Sequence, residues 1–124
     1  MIYTGYYAKL KKYEKAGLIT IAVSGAIPKF YTDRYKYSDF APRYSFFKAW
    51  QDKEISDSEY AGIYEDYLNT LDREKIKSNF KEYNTKKRNC VLLCYEKTGD
   101  FCHRHILADW LDKIFGYEVE EYIC

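Results

Sequence analysis

Two apolar runs, and the helical stripes around them, predict an α/β fold: a mostly parallel sheet of about four strands with helices packed on it. Leu18-Ile19-Thr20-Ile21-Ala22-Val23 and Cys90-Val91-Leu92-Leu93-Cys94-Tyr95 are apolar without alternation. That is the pattern of strands covered on both faces, as in a parallel sheet. Other stretches repeat apolar residues at three and four, the period of a helix with one face turned to a core. Strand and helix in alternation favour parallel pairing with helical crossovers.

The elements follow in order. Ile2-Tyr3-Thr4 is a short β-prone start before Gly5. Tyr6, Leu10 and Tyr13 then form a helical stripe, and Gly17 stands where a C-cap glycine belongs. After the strand at 18–23, Ser24-Gly25-Ala26-Ile27-Pro28 is punctuation. Residues 29–42 are aromatic, basic and irregular, and Pro42 sets the start of a short helix through Phe46, Phe47 and Trp50. Ser56-Asp57-Ser58-Glu59 fits a capping box. Tyr60, Ile63, Tyr64, Tyr67, Leu68 and Leu71 make one apolar helix face behind it. Asp72 caps a further helix with Ile76, Phe80 and Tyr83 as its stripe, and Asn84 to Asn89 is a polar, basic break. Beyond the strand at 90–95, Asp100 is the expected cap of a helix carrying Ile106, Leu107, Trp110, Leu111, Ile114 and Phe115. Gly116 stops it, and Tyr117 to Tyr122 reads as a short edge strand.

Composition narrows the function. The 124 residues are 47% hydrophobic and carry 20 basic against 19 acidic side chains, which suits one α/β domain over 1–124. A net charge of +1 gives no global attraction to nucleic acid or anionic membrane. No apolar run approaches the ~18–20 residues that span a bilayer. Met1 to Lys12 is tyrosine- and lysine-rich and lacks the apolar stretch of an export signal, so a cytoplasmic location is expected. Three of the four cysteines, Cys90, Cys94 and Cys102, crowd together, with Cys124 apart. In that compartment they are expected to be reduced thiols.

Chemistry concentrates in Cys94-Tyr95-Glu96 and Cys102-His103-Arg104-His105, where a buried strand meets a helix start. Free amides and the dipole at a helix N-terminus favour an anion. A thiol there shifts toward thiolate. Cys102 is thus the candidate nucleophile or redox thiol, with Cys94 as a resolving partner, and Arg104 the anion clamp. His103 or His105 is the proton carrier. The plainer alternatives are Cys94 as a small buried hydrophobe and His105 paired with Asp109 one turn on. Cys94, Cys102, His103 and His105 are also zinc-competent, but their spacing matches no common zinc pattern, so no metal and no cofactor are assigned.

The same residues carry a resemblance. Val91 to Lys97, with Phe101-Cys102-His103-Arg104-His105-Ile106-Leu107-Ala108-Asp109-Trp110-Leu111, resembles the C-terminal signature of the domain of unknown function 488 family, small proteins mostly of bacteria and phages. Ile2-Tyr3-Thr4-Gly5, Ile19 to Pro28, Phe40-Ala41-Pro42 and Ile55 to Tyr67 are similar to upstream parts of that family. The resemblance supports the fold, picks out Cys94, Glu96, Cys102, His103 and Arg104, and implies no substrate. Many relatives place an arginine or other charged group just after the second strand. Here Ser24 stands there, with Lys29 and Arg34 as the ligand-binding substitutes.

The leading expectation is a protein that binds a small anionic ligand, nucleotide or phosphate-like, with cysteine-based catalysis as its enzymatic form. The second is nucleic-acid binding or processing through the 29–44 segment, where Tyr31, Arg34, Tyr35, Lys36 and Tyr37 interleave rings and cations, joined by Lys86-Lys87-Arg88. The third is a protein-interaction module with exposed tyrosines as its contact surface.

Overall fold

The computed structural model describes residues 1–85, 89–95 and 101–123. Strand β1 (Ile2–Tyr6) leads through a 3-10 turn at Tyr7–Lys9 into helix α1 (Leu10–Lys15). Strand β2 (Ile19–Ala22) follows, then β3 (Tyr35–Lys36) and a second 3-10 turn at Ser38–Phe40. Three helices come next: α2 (Tyr44–Gln51), α3 (Asp57–Leu68) and α4 (Arg73–Thr85). The chain closes with β4 (Cys90–Cys94), α5 (His103–Phe115) and β5 (Glu120–Glu121).

The strands form one sheet in the order β3-β2-β4-β1-β5, and every pairing is parallel. Leu92 of β4 sits opposite Thr4 on one side and Ile21 on the other. The sheet has one strand more than the four or so expected. Both edge strands are only two residues long.

The apolar runs become the middle of the sheet, for the reason their pattern implies. Ile19, Ile21, Cys90 and Leu92 face one core, with Tyr64, Leu68, Ile76, Leu107 and Leu111 from the helices. Ala22, Val91 and Leu93 face the other, with Tyr7, Leu10, Tyr13 and Tyr31. Val91, Leu92 and Leu93 are wholly buried. Burying a side chain of this kind stabilises by about 1.5–3 kcal/mol. A strand with one polar face would forfeit half of that in this position.

The helix signals have physical counterparts. Ser56 Oγ accepts from Glu59 N at 3.1 Å, and Glu59 Oε1 accepts from Ser56 N at 3.1 Å, the reciprocal capping box. Asp72 Oδ1 accepts from the amides of Glu74 and Lys75. Gly17 and Gly116 have φ of 82° and 69°, left-handed values that side chains resist. At the start of α5 the cap differs from expectation. Cys102 holds the N-cap position with extended backbone, while Asp100 lies outside the described residues, as do Glu96 and Lys86-Lys87-Arg88.

The irregular 29–42 segment is also more organised than its composition implies. Tyr31 is buried, its hydroxyl donating to Tyr35 O at 2.7 Å, with Thr20 Oγ1 3.2 Å away. Tyr37 is buried against Phe40, ring centroids 4.4 Å apart. These anchors let two residues between them join the sheet as β3.

Candidate functional site

The order of the strands creates a crevice. From β2 the chain moves outward to β3; from β4 it crosses over β1 to β5. The connections diverge between β2 and β4. In open parallel sheets, ligands bind beyond the carboxyl ends of the strands at such a point. A pocket of about 580 Å³ lies there. Its walls are the 24–26 turn after β2, Tyr44, Phe47 and Gln51 of α2, Tyr95 after β4, and His103 at the start of α5. Tyr44 and Tyr95 are 72% and 49% exposed, so their rings are available to a ligand.

Ser24 shapes the near wall. Its hydroxyl donates to Ala26 O at 2.7 Å and so accepts from Tyr7 Oη at 2.6 Å. Burial pushes the Tyr7 phenol up to about 12, so it stays a donor near neutrality.

His103 forms part of the far wall, with Cys94 and Cys102 beside it. His103 Nε2 is 2.9 Å from Val23 O. A carbonyl only accepts, so Nε2 carries the proton and Nδ1 keeps its lone pair. Nδ1 faces Cys102 Sγ at 3.9 Å. Burial, with the nearby Arg104 charge adding to it, pushes the His103 imidazole down to about 4, so the ring is neutral at pH 7. Its plane stands edge-on to Tyr64, centroids 5.7 Å apart.

Cys94 and Cys102 are joined as a disulfide, their Cα atoms 7.5 Å apart. This departs from the expectation of four reduced thiols: the end of β4 and the start of α5 lie side by side. Cys90 is free and buried, and burial raises its thiol to about 12, a packing role.

Arg104 departs further from the sequence reading. It is fully buried. Nε and Nη2 donate to Glu121 Oε1 and Oε2 at 3.1 and 2.8 Å, and Nη1 to Cys94 Sγ at 3.0 Å. The guanidinium also lies over the Tyr6 ring at 5.7 Å. Glu121 Oε1 accepts from Thr4 Oγ1 as well, at 2.5 Å. The arginine expected to face an anion thus faces inward and ties α5 to β4 and β5.

The remaining candidates are dispersed. His105 is half-buried, and two residues beyond His103 it points roughly 200° around the helix, away from the pocket. Burial lowers its imidazole too. Lys29 is exposed. Arg34 pairs with both oxygens of Glu14 at 3.0 Å and donates to the carbonyls of Phe30 and Thr32. Neither Lys29 nor Arg34 lines the pocket. The structure therefore brings together Ser24, Cys94, Cys102, His103 and the inward Arg104, and leaves Lys29, Arg34 and His105 outside. Sequence reasoning missed Tyr44, Phe47 and Gln51 as pocket walls. Aromatics on a helix that begins just after Pro42 were the available signal.

The group Cys94, Cys102 and His103 is compact: its ligating atoms lie within 4.8 Å of one another, and all three residues are buried. No described helix is long and apolar enough to cross a membrane. No curated protein and no solved structure gives a match to the chain. The family model described as the active DUF488-N3 subclade matches residues 9–114. That span covers most of the sequence, including β2, β4, all of α5 but Phe115 and the whole Cys-His-Arg cluster, and the chain belongs to the DUF488 family.

Proposed function

We propose that this protein binds a small nucleotide-like anion in the pocket at the ends of β2 and β4, as the substrate of an enzyme whose reactive sulfur is Cys102. The observation that carries the reading is the pocket itself. It lies at the divergence of the strands, has aromatic walls at Tyr44, Phe47 and Tyr95, and touches His103 beside the sulfur pair. Flat aromatic walls suit a planar base. The anionic part belongs at the N-terminus of α5, where the N-cap residue Cys102 makes no side-chain cap hydrogen bond. There the same dipole, together with the Arg104 guanidinium on Cys94, favours thiolate over thiol once the pair is reduced. The description of the matching subclade as active accords with an enzyme.

The test is calorimetric titration of the full chain with inorganic phosphate and with nucleoside mono-, di- and triphosphates. Nucleotide binding is expected, weakened about tenfold or more by Tyr95→Ala or Tyr44→Ala, since stacking a base on a ring contributes about 1–3 kcal/mol. Both tyrosines are exposed, so these variants retain the fold. Binding that ignores both substitutions, or none at all, removes this reading. A single-stranded oligonucleotide that binds where mononucleotides do not moves it to nucleic acid.

A further inference from the structure

We propose that Cys94, Cys102 and His103, once a thiol reductant has opened the Cys94–Cys102 disulfide, form a site for a divalent, thiolate-preferring metal ion of the zinc class, its fourth position left to water or to a ligand in the pocket. This goes beyond the pocket reading and does not depend on which molecule the pocket takes.

Four observations converge on it. The two sulfurs and an imidazole nitrogen lie within 4.8 Å of one another inside the protein, and among the described residues no other histidine, cysteine or carboxylate joins them. Two thiolates and one imidazole with an open position is a ligand set suited to a reactive zinc rather than a closed structural one.

The surroundings are those of metal ligands. His103 donates Nε2–H to Val23 O and so turns Nδ1, with its lone pair, to the sulfur side. A metal-bound histidine is normally held in this way, its other ring nitrogen on a carbonyl or carboxylate. Arg104 Nη1 donates to Cys94 Sγ at 3.0 Å. A guanidinium hydrogen bond is strongest when the acceptor carries charge, so this contact favours Cys94 as a thiolate.

The spacing leaves room for an ion. The Cα atoms of Cys94 and Cys102 are 7.5 Å apart, beyond the roughly 4.4–6.8 Å that disulfides commonly span. Two sulfurs on a tetrahedral zinc stand roughly 3.8 Å apart, given Zn–S bonds of about 2.3 Å. The backbone is thus already wide enough for sulfurs held by an ion between them.

The charges also close. Two thiolates balance a divalent ion, and Glu121 balances Arg104 through its two short hydrogen bonds. A buried centre of this composition is neutral as a whole, which a low-dielectric interior requires.

Cobalt(II) added to the reduced, metal-stripped full chain tests the proposal. One equivalent per chain is expected to bind, with a thiolate-to-cobalt charge-transfer band and the visible bands of a tetrahedral site, both abolished by zinc. Cys94→Ser and Cys102→Ser are expected to lower the charge-transfer intensity and weaken binding by at least about tenfold. Cys90→Ser is expected to leave the spectrum unchanged. A reduced wild-type chain without these bands overturns the site, as do bands that survive loss of both Cys94 and Cys102. Should the serine variants fail to fold, the wild-type and Cys90→Ser spectra still decide. Nucleotide titration of the chelated protein keeps the two proposals apart, because either result can fail while the other holds.

Discussion

Arg34 and Arg104 make the same two-pronged bond to a glutamate in two different environments. Arg34 lies on the segment between β2 and β3 and meets Glu14 of α1, with side chains 28% and 39% exposed. Arg104 lies at the start of α5 and meets Glu121 of β5, with side chains 0% and 16% exposed. Both stood as ligand contacts in the sequence. Water separates their consequences. An exposed pair is screened and contributes about 0–1 kcal/mol. A buried pair gains little over apolar packing, yet losing one member strands a charge inside the protein. Arg104 is therefore an organiser of the sulfur site, while Arg34 fastens a loop to a helix.

The largest effect expected from this comparison is at Arg104. Arg104→Met leaves Glu121 without its guanidinium and removes the donor to Cys94, and should lower stability by about 3–5 kcal/mol in chemical denaturation. A loss below about 1 kcal/mol would erase the difference between the two regions.

A middle effect comes from Tyr31, whose ring lies 5.7 Å beneath Arg34 although the arginine itself is partly exposed. Burial raises its phenol from 10.0 to about 12. The unfolded chain gives up this proton first, so its contribution is complete below pH 10 and is lost as pH rises from 10 to 12. The loss is on the order of 2–3 kcal/mol. Ultraviolet titration alongside alkaline unfolding reads it, and Tyr31→Phe should flatten that limb. An unchanged limb would show that the phenol ionises freely in the folded protein.

The smallest effect is at Arg34 itself. Arg34→Ala should shift the denaturation midpoint only slightly, and 1 M salt should shrink the wild-type advantage. A cost comparable to that of Arg104→Met would mean that exposure is not what separates the pairs.

Much of the fold could be read from local pattern. The runs 18–23 and 90–95 announced central strands because only strands covered on both faces tolerate apolar residues at every position. The stripe from Ile106 to Phe115 and the stop at Gly116 marked α5 equally well, since a period of 3.6 and a left-handed cap are local properties. Strand β3 was not legible. Tyr35 and Lys36 are exposed on a basic, aromatic stretch, and they become a strand only because β2 offers them a backbone edge.

The candidate site divides along the same line. That Cys94 and Cys102-His103 meet follows from their nearness along the chain, eight residues from the end of β4 to the start of α5. That Arg104 turns inward does not, because its partner Glu121 arrives on an edge strand 17 residues later. Nor do the pocket walls, since α2 reaches the carboxyl ends of β2 and β4 only through the packing of Phe46 and Phe47 on the core. Sequence by itself determined the central strands and the helices, because side-chain period and capping act over a few residues. Tertiary structure decided which charges meet water and which sulfurs and rings share a cavity. Those depend on where distant segments cross, and burial then sets what each group is able to do.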